Sequence, residues 1–349
     1  MASLSRSRLA LALVVALGVL VVTGAIFWVR RQAVAQADPN TITVYTALEP
    51  EEAALYLRDF YLVFPDITVV LVQQPINQLS EQIVAEQESP QADVIWGVGL
   101  RNMLLFEWND LLTPYMPLGY ERIKPDFVDT RTPPYWVGFY RSLAAFCVNP
   151  EIRARRGLQA PESWADLLDP SYRRSLVMPN PTTSSTGLTA LLTIFELYDE
   201  RDAWRYLDDL HKNIVVYTPD ETAACRFVDQ GNYPIGIAKA DTRLVNAQMV
   251  YPQEGSGWEL MVGALVRKDP VRPAARTFLD WAVSKSVMPL YARMSPLTAM
   301  HTGASLPPGF PADAEAQQLP QDPSWGAANR NRILREWQRR YSDKVMKRD

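Results

Sequence analysis

Hydrophobic and polar positions alternate along this chain in short blocks that predict strands and amphipathic helices in turn. Residues 41–45 have the pattern of an apolar strand, residues 51–64 that of a helix with one apolar face, and residues 67–73 that of a second strand. A second helix over residues 76–88 and a third strand over residues 92–96 continue the series. Strands and helices that alternate at this spacing predict an α/β fold with a parallel sheet and right-handed crossovers.

The same alternation continues through the rest of the chain. An apolar segment over residues 136–148 predicts a long strand that could carry the chain from one domain to another. Further predicted elements are helices over residues 199–210, 273–285, 287–294 and near 329–347, and strands over residues 215–217, 233–238 and 258–266. With 349 residues, the chain is long enough for two domains.

Two strand ends are candidate parts of a binding site. Ligands of parallel α/β sheets bind beyond the carboxyl ends of the strands. The first predicted strand is followed by Thr46, Ala47 and Leu48, and the third by Gly97 and Val98. We expect these residues to contact a ligand.

A hydroxyl-rich segment before an apolar run predicts the start of a helix. Its residues are Ser184, Ser185, Thr186 and Gly187, which follow Pro179 and Pro181. Prolines disfavour helix in the residues before them, whereas Ser and Thr are preferred N-caps. The free N–H groups and the positive end of the helix dipole favour anions, so the segment is a candidate anion site. The alternative is an ordinary cap in a loop.

Composition narrows the function classes. The net charge of −4, without a stripe of Lys and Arg, gives no indication of nucleic-acid binding. Two histidines and two cysteines, none in a metal-spaced cluster, argue against a zinc site, and no other cofactor is indicated. No phosphate-cradling glycine loop, nucleophile elbow or histidine beside a candidate nucleophile is visible. We therefore expect a binding protein and not an enzyme.

The N-terminal residues 1–37 have the pattern of a targeting segment. Two arginines precede an uncharged apolar run over residues 9–29, which is long enough to span a bilayer. This favours export to the periplasm or another extracytoplasmic space, with the segment either cleaved or kept as a membrane anchor. In an oxidising compartment Cys147 and Cys225 could form a disulfide, the alternative being two buried thiols.

Motifs that run in order from about residue 43 to residue 292 resemble the periplasmic solute-binding proteins of ABC importers. The likeness is greatest to the 2-aminoethylphosphonate-binding proteins, which are related to ferric-ion binders. The motifs include Val44-Tyr45-Thr46-Ala47-Leu48-Glu49, Ala92-Asp93-Val94-Ile95-Trp96-Gly97, Ala144-Ala145-Phe146-Cys147-Val148-Asn149 and Met178-Pro179-Asn180-Pro181.

The resemblance implies a two-lobe fold of the type II periplasmic-binding-protein kind, with the ligand between the lobes. The first lobe would comprise residues 40–141 and 250–349, and the second residues 142–249. In relatives, the segment that matches residues 184–187 holds a phosphonate or another anion. The implied partners are a small-molecule ligand and the membrane permease of the importer, and we expect a monomer.

Some positions depart from the aminoethylphosphonate-binding pattern. Asp220 and Glu221 replace a hydroxyl-rich run, and they could either receive a ligand ammonium or act as N-terminal helix charges. Asp241 lies in a segment that differs from its relatives, and ferric binders carry adjacent tyrosines there, which are missing here. Arg141 could contact an anion or be a surface arginine.

The sequence therefore predicts capture of a small anionic or zwitterionic solute, with a phosphonate favoured. A protein of the same fold that binds ferric ion, another anion or a polyamine is the alternative. An anchored ligand sensor also stays open.

Overall fold

The computed structural model describes residues 38–240, 244–295, 297–302, 310–313 and 315–347. The fold described below is that of the compact unit Ile42–Asp349. The predicted targeting segment, residues 1–37, lies outside the described residues. Within the described part, no helix combines the length and the apolar character that crossing a membrane requires.

Strands and helices alternate as the sequence predicts. The strands are β1 (Thr41–Thr46), β2 (Thr68–Gln73), β3 (Val94–Gly99), β4 (Leu112–Thr113), β5 (Val137–Val148), β6 (Leu176–Pro179), β7 (Ile214–Thr218), β8 (Ile235–Lys239), β9 (Gln248–Val250) and β10 (Trp258–Val266). The helices are α1 (Pro50–Val63), α2 (Ile76–Ala85), α3 (Leu100–Trp108), α4 (Pro150–Arg155), α5 (Ser185–Leu197), α6 (Glu200–Asn213), α7 (Ala223–Asp229), α8 (Pro273–Ala282), α9 (Met288–Tyr291) and α10 (Pro323–Tyr341).

The last helix differs from its prediction. It begins at Pro323, several residues before the predicted start near residue 329, and ends at Tyr341. Asp322 caps it, because its carboxylate accepts hydrogen bonds from the N–H groups of Ser324 and Trp325 at 2.8 and 3.1 Å. An acidic cap followed by proline at the first helical position is a strong start signal, which the apolar pattern alone does not contain.

The strands form one sheet path in the order β2-β1-β3-β10-β5-β8-β6-β7. β1 and β3 are parallel, as predicted, and so are β6 with both β7 and β8. β10 comes late in the chain, yet it lies between β3 and β5 and is antiparallel to both.

β5 connects the two halves of this sheet path. Its first half pairs with β10 through residues 137–143, and its second half pairs with β8 and β9 through residues 144–148. The long predicted strand thus takes part in two differently organised groups of strands, one on each side of Leu143.

Two large hydrophobic clusters pack against these two groups of strands. The first contains buried residues of β1, β3, β10, α1, α3 and α8, and the second those of β6, α5 and α6. α10 contributes Ala327 to the first cluster and Ile333, Leu334, Trp337 and Tyr341 to the second. The division into lobes at residues 141/142 and 249/250 stays a prediction.

Candidate ligand-binding cleft

The helix α5 begins at the predicted hydroxyl-rich cap. Ser184 has extended backbone angles, φ −127° and ψ 130°, and its hydroxyl accepts a hydrogen bond from the Gly187 N–H at 3.1 Å. Its own N–H donates to the Asn180 carbonyl at 3.0 Å, which folds the loop after β6 back onto the helix start. The N-terminus of α5 therefore follows the carboxyl end of a parallel strand, the place where ligands of α/β sheets bind.

Gly187 is closely surrounded by the loop that precedes the helix. A Cβ atom at this position would lie 2.5 Å from the Pro179 carbonyl oxygen and 2.9 Å from the carbonyl carbon of Asn180. Backbone atoms of a packed loop cannot turn aside as a flexible side chain can. Only glycine therefore lets the helix start this close to the end of β6.

A carboxylate from another part of the chain lies at the N-terminus of α5. Glu221 Oε1 accepts a hydrogen bond from the Ser185 N–H at 2.9 Å. The helix dipole stabilises negative charge at this position. One of the donors that the sequence offers to a ligand anion is thus already bonded within the protein. An anion at this helix end would have to displace Glu221 or lie beside it.

The opposite wall of the site is formed by the end of β1 and the residues that follow it. The Leu48 N–H donates to the Thr46 hydroxyl oxygen at 3.1 Å, and the Gln73 side-chain amide donates to the Leu48 carbonyl. The Leu48 side chain lies directly over Gly97, which has φ 67°, and a Cβ on this glycine would overlap with it. The two predicted strand ends are therefore in contact.

A cleft with a volume of about 340 Å³ lies between these two walls. This is within the usual range for sites that bind small molecules. One wall contributes residues 47–50 and 73–76, and the other contributes Thr183, Ser185 and residues 219–221. The predicted strand end at Ala47 and Leu48, the predicted cap at Ser185 and the two acids Asp220 and Glu221 are thus brought together.

The charged side chains that line this cleft are acidic. Among the described lining residues they are Glu49, Asp220 and Glu221, and no lining residue is basic. Lys239 lies behind the cleft, in a cavity of about 10 Å³ that also borders Ser185 and Glu221. Its Nζ atom is 3.8 Å from Oε2 of the buried Glu52, so at least part of its charge is balanced inside the protein.

Burial and neighbouring carboxylates raise the pKa values of Glu49 and Glu221. Burial, reinforced by the nearby carboxylates of Glu221 and Asp220, raises the pKa of Glu49. Burial also raises the pKa of Glu221, with Lys239 opposing this shift and Glu52 adding to it. A positively charged group placed between these carboxylates would stabilise their ionised forms. The electrostatics of the cleft therefore favour a ligand that carries a cation.

Residues 89–331, more than half of the chain, match the family described as bacterial extracellular solute-binding protein. The chain belongs to this family. Among curated relatives, an uncharacterized protein of Haemophilus influenzae is 28% identical over 63% of this chain and 66% of its own length. A probable ABC transporter periplasmic-binding protein of Sinorhizobium fredii is 24% identical over 72% of each chain.

Solved structures show that the fold of this solute-binding protein is the two-lobe fold of type II periplasmic binding proteins. The periplasmic binding protein AfuA from Actinobacillus pleuropneumoniae, solved with fructose-6-phosphate bound, has a TM-score of 0.77 at 24% identity over 86% of this chain and 98% of its own. Iron-bound HitA from Pseudomonas aeruginosa has a TM-score of 0.72 at 18% identity over 85% and 98%. At these low sequence identities, the likeness shows that the fold is shared and nothing further.

The remaining residues that the sequence predicts for the site of this solute-binding protein are more deeply placed. Thr46, Val98 and Ser184 are buried, and Thr186 borders the small cavity that contains Lys239. Asp241 lies outside the described residues. The structure thus brings part of the predicted set to the surface of the cleft and leaves the other part as its support.

Arg141 is engaged away from the lining of the cleft. Its Nη2 atom is 2.6 Å from an Asp126 carboxylate oxygen, and Nη1 donates to the Gln318 side chain at 2.8 Å. The guanidinium also lies over the rings of Phe127 and Trp258, at 4.7 and 4.4 Å from their centroids. A contact with a ligand anion would require these interactions to be exchanged, and this role of Arg141 stays a prediction.

The predicted disulfide between Cys147 and Cys225 is present, with a Cα–Cα distance of 5.8 Å, so the alternative of two free thiols is wrong. It links β5 to α7. Asp220 lies in the turn that leads into α7, and its Oδ1 atom accepts hydrogen bonds from the N–H groups of Thr222 and Ala223 at 3.1 and 2.7 Å. The disulfide therefore fixes the helix that follows the acidic wall of the cleft.

Sequence reasoning did not identify every residue that lines the site. Glu49 directly follows the predicted segment at residues 46–48, so extending the same strand-end argument by one residue would have included it. Gln73 and Lys239 are the last residues of β2 and β8, where the same argument applies. Their polar side chains at strand ends were the available signal.

Proposed function

We propose that this solute-binding protein is the substrate-binding component of an ABC import system and delivers a small solute to a membrane permease. The family membership and the likeness to a probable ABC transporter periplasmic-binding protein support this role. In a two-lobe fold, closure of the lobes around the ligand would remove water and strengthen charge-assisted hydrogen bonds.

The ligand that the cleft fits best is a small zwitterion of the 2-aminoethylphosphonate class. The observation that carries this assignment is the set of three acidic side chains in a cleft whose described lining contains no basic residue. The ligand ammonium group would lie between Glu49, Asp220 and Glu221. An attraction between unit charges 4 Å apart is worth about 4 kcal/mol at the effective dielectric constant of a protein surface.

The phosphonate end would be held by neutral donors. Thr183 and Ser185 bring hydroxyl groups to the cleft. The Thr183 hydroxyl donates to the Pro219 carbonyl at 2.8 Å and that of Ser185 bonds the Glu221 carboxylate, so the phosphonate would have to replace these bonds. The Gln73 amide donates to the Leu48 carbonyl and the Gln74 amide to the Gln82 side chain, which leaves a second N–H donor on each amide. Donors without charge suit a ligand whose own ammonium already balances part of its negative charge.

A wholly cationic amine is the second candidate. The same acidic lining would accept a diamine, with one ammonium group between the carboxylates and the other near the cleft opening. A solute that carries only negative charge fits least well, because it would face three carboxylates at close range.

Isothermal titration calorimetry of the full chain in a non-ionic detergent distinguishes these ligands. The four solutes are 2-aminoethylphosphonate, ethylphosphonate, ethylamine and putrescine, so that each half of the zwitterion is also tested alone. We expect 2-aminoethylphosphonate to bind at least tenfold more tightly than either half. If ethylphosphonate binds as tightly as 2-aminoethylphosphonate, the role of the carboxylates is contradicted. If putrescine binds more tightly than 2-aminoethylphosphonate, the cationic candidate is favoured.

Transport itself requires a separate experiment. We expect cells that lack this protein to lose uptake of the radiolabelled solute, and a plasmid-borne copy to restore it. Unchanged uptake together with binding in the calorimeter would contradict the transport role and favour a ligand sensor.

A further inference from the structure

A second cavity, of about 390 Å³, lies at another part of the surface and is rich in basic side chains. It is lined by Arg173, Arg174, His211, Lys212 and Lys344, together with Ile214 and Val215. No acidic residue belongs to its described lining. Its electrostatic character is therefore opposite to that of the acidic ligand cleft.

The basic cavity and the ligand cleft lie at opposite ends of the same strands. β7 ends at Thr218 and leads directly into Pro219, Asp220 and Glu221 of the cleft, whereas its first residue, Ile214, borders the basic cavity. Five residues of extended strand, at about 3.3 Å each, correspond to ~16 Å. The parallel strand β6 has the same orientation, with the arginine pair before its start. A ligand in the cleft cannot reach the basic cavity.

The two adjacent arginines are the most available cations of this cavity. Both are exposed, and within the described part of the chain neither guanidinium forms a hydrogen bond or an ion pair. Arg174 has φ 55°, in the left-handed region that residues with side chains adopt rarely. Backbone conformations that cost energy in this way are found more often at functional positions than elsewhere.

The other basic groups of the cavity are partly balanced by local partners. Lys212 pairs with Asp209 at 2.6 Å, and the Nε2 atom of His211 lies 3.3 Å from Asp343. Lys344 donates to the carbonyls of His211 and Ile214, at 2.5 and 2.8 Å. These bonds hold the Lys344 ammonium in place next to the arginines.

The arginines act on Lys344 electrostatically. Burial lowers the pKa of Lys344, and the positive charges of Arg174 and Arg173 add to this shift against the opposing effect of Asp343. Cations that disfavour one another in this way are stabilised when an anion is bound between them.

We propose that this basic cavity binds a phosphate-bearing anion. Two neighbouring guanidinium groups can each donate two parallel hydrogen bonds to phosphate oxygens, and a fixed ammonium adds a further donor. The volume is sufficient for a pyrophosphate or for the glycerophosphate headgroup of an anionic lipid. The proposal is independent of the solute that the acidic cleft binds.

Calorimetric titration of the full chain in a non-ionic detergent tests the site and distinguishes the two sources of phosphate. One arm uses inorganic pyrophosphate, and the other uses dihexanoylphosphatidylglycerol below its critical micelle concentration, with the matching phosphatidylcholine as the neutral lipid. The test variant is Arg173→Gln with Arg174→Gln. The control is Arg58→Gln with Arg293→Gln, which removes the same charge from two exposed arginines that do not line the cavity.

We expect the test variant to weaken binding of pyrophosphate, of phosphatidylglycerol or of both by at least tenfold, and the control to change it less than twofold. The arm that shows the loss identifies the source of the phosphate group. Absence of binding in both arms overturns the proposal, and so does an equal loss in test and control variants. An unchanged far-ultraviolet circular dichroism spectrum and melting temperature of the test variant would show that it is folded.

Discussion

At the scale of single residues, Glu221 has two opposed effects. Its carboxylate accepts a hydrogen bond from the Ser185 N–H at the start of α5, which favours the fold. The same charge lies in an acidic cleft, where burial raises its pKa and its field raises that of Glu49. A residue that is unfavourable as a charge in the ligand-free protein and favourable beside a cation is typical of a binding site.

Glu221→Gln separates these two effects. The amide oxygen keeps the hydrogen bond from Ser185, whereas the negative charge is lost. We expect the affinity for 2-aminoethylphosphonate to fall at least tenfold, which corresponds to about 1.4 kcal/mol, while the melting temperature stays equal or rises. Calorimetry and thermal unfolding measure the two quantities on one sample.

Glu51→Gln is the matched control for this change. Glu51 is an exposed acid in the first turn of α1, two residues after Glu49, and it does not line the cleft. We expect its loss to change the affinity less than twofold. If both substitutions weaken binding equally, the general negative field of the protein and not the acidic wall attracts the ligand.

At this scale, a contact could be predicted when its two partners are close together in the sequence and not when they are far apart. The Ser184 cap depends on Gly187, three residues away, and the local pattern predicts it. The bond between Ser185 and Glu221 joins positions 36 residues apart, and only the packing of α5 beside the end of β7 brings them together. No propensity of either segment contains that information.

At the scale of elements, the close contact between α5 and the loop after β6 depends on Gly187. Alanine is favoured over glycine inside helices by about 1 kcal/mol, so Gly187→Ala would stabilise a helix with free space around it. Here the added methyl group would meet backbone atoms of Pro179 and Asn180. We expect a net loss of about 2 kcal/mol in the free energy of unfolding, measured in urea. A variant as stable as the wild type would show that the loop yields.

The disulfide between β5 and α7 is a second element-level contribution. It joins positions 78 residues apart, and closing a loop of this length in the unfolded chain accounts for about 4 kcal/mol of stability. We expect Cys147→Ala with Cys225→Ala to lower the free energy of unfolding by roughly this amount. Addition of a reductant should destabilise the wild type in the same way and leave the double variant unchanged. Equal stability of the oxidised wild type and the variant would contradict this.

The predicted strands and helices occur in the predicted order because the apolar pattern is local, whereas β4, β6, β9, α3 and α4 were not predicted. The start of α10 was misplaced because a polar first turn carries no apolar period, although Asp322 and Pro323 mark it. The insertion of β10 between β3 and β5 could not be derived from pattern, since neighbours in a sheet are chosen by packing.

At the scale of the whole molecule, pH should move stability and affinity in opposite directions. The pKa values of Glu49 and Glu221 are raised in the folded state above the ordinary value of about 4.3. At pH values between the ordinary pKa and the raised pKa values, the folded state holds more protons than the unfolded state. This contribution to stability therefore grows as the pH falls from neutral. It is complete below the ordinary value and is lost as the pH rises through the raised values.

Affinity for an ammonium-bearing solute should show the reverse dependence, because the ligand binds the ionised carboxylates. We expect binding of 2-aminoethylphosphonate to strengthen as the pH rises through the raised pKa values and then to level off. Calorimetry and urea unfolding across a pH series measure both trends. The variant Glu49→Gln with Glu221→Gln should flatten both, and trends that persist in it would assign the pH dependence to other groups.

The positions of β10 and α10 determine when this protein can become folded during its synthesis and export. β10 is central to the first group of strands, and α10 supplies Ile333, Leu334, Trp337 and Tyr341 to the second hydrophobic cluster. Neither core is complete before these late segments have emerged from the ribosome. We therefore expect a nascent chain to stay incompletely folded until these segments have been synthesised. Products that end before α10 would expose the apolar surface of the second cluster and be open to proteolysis.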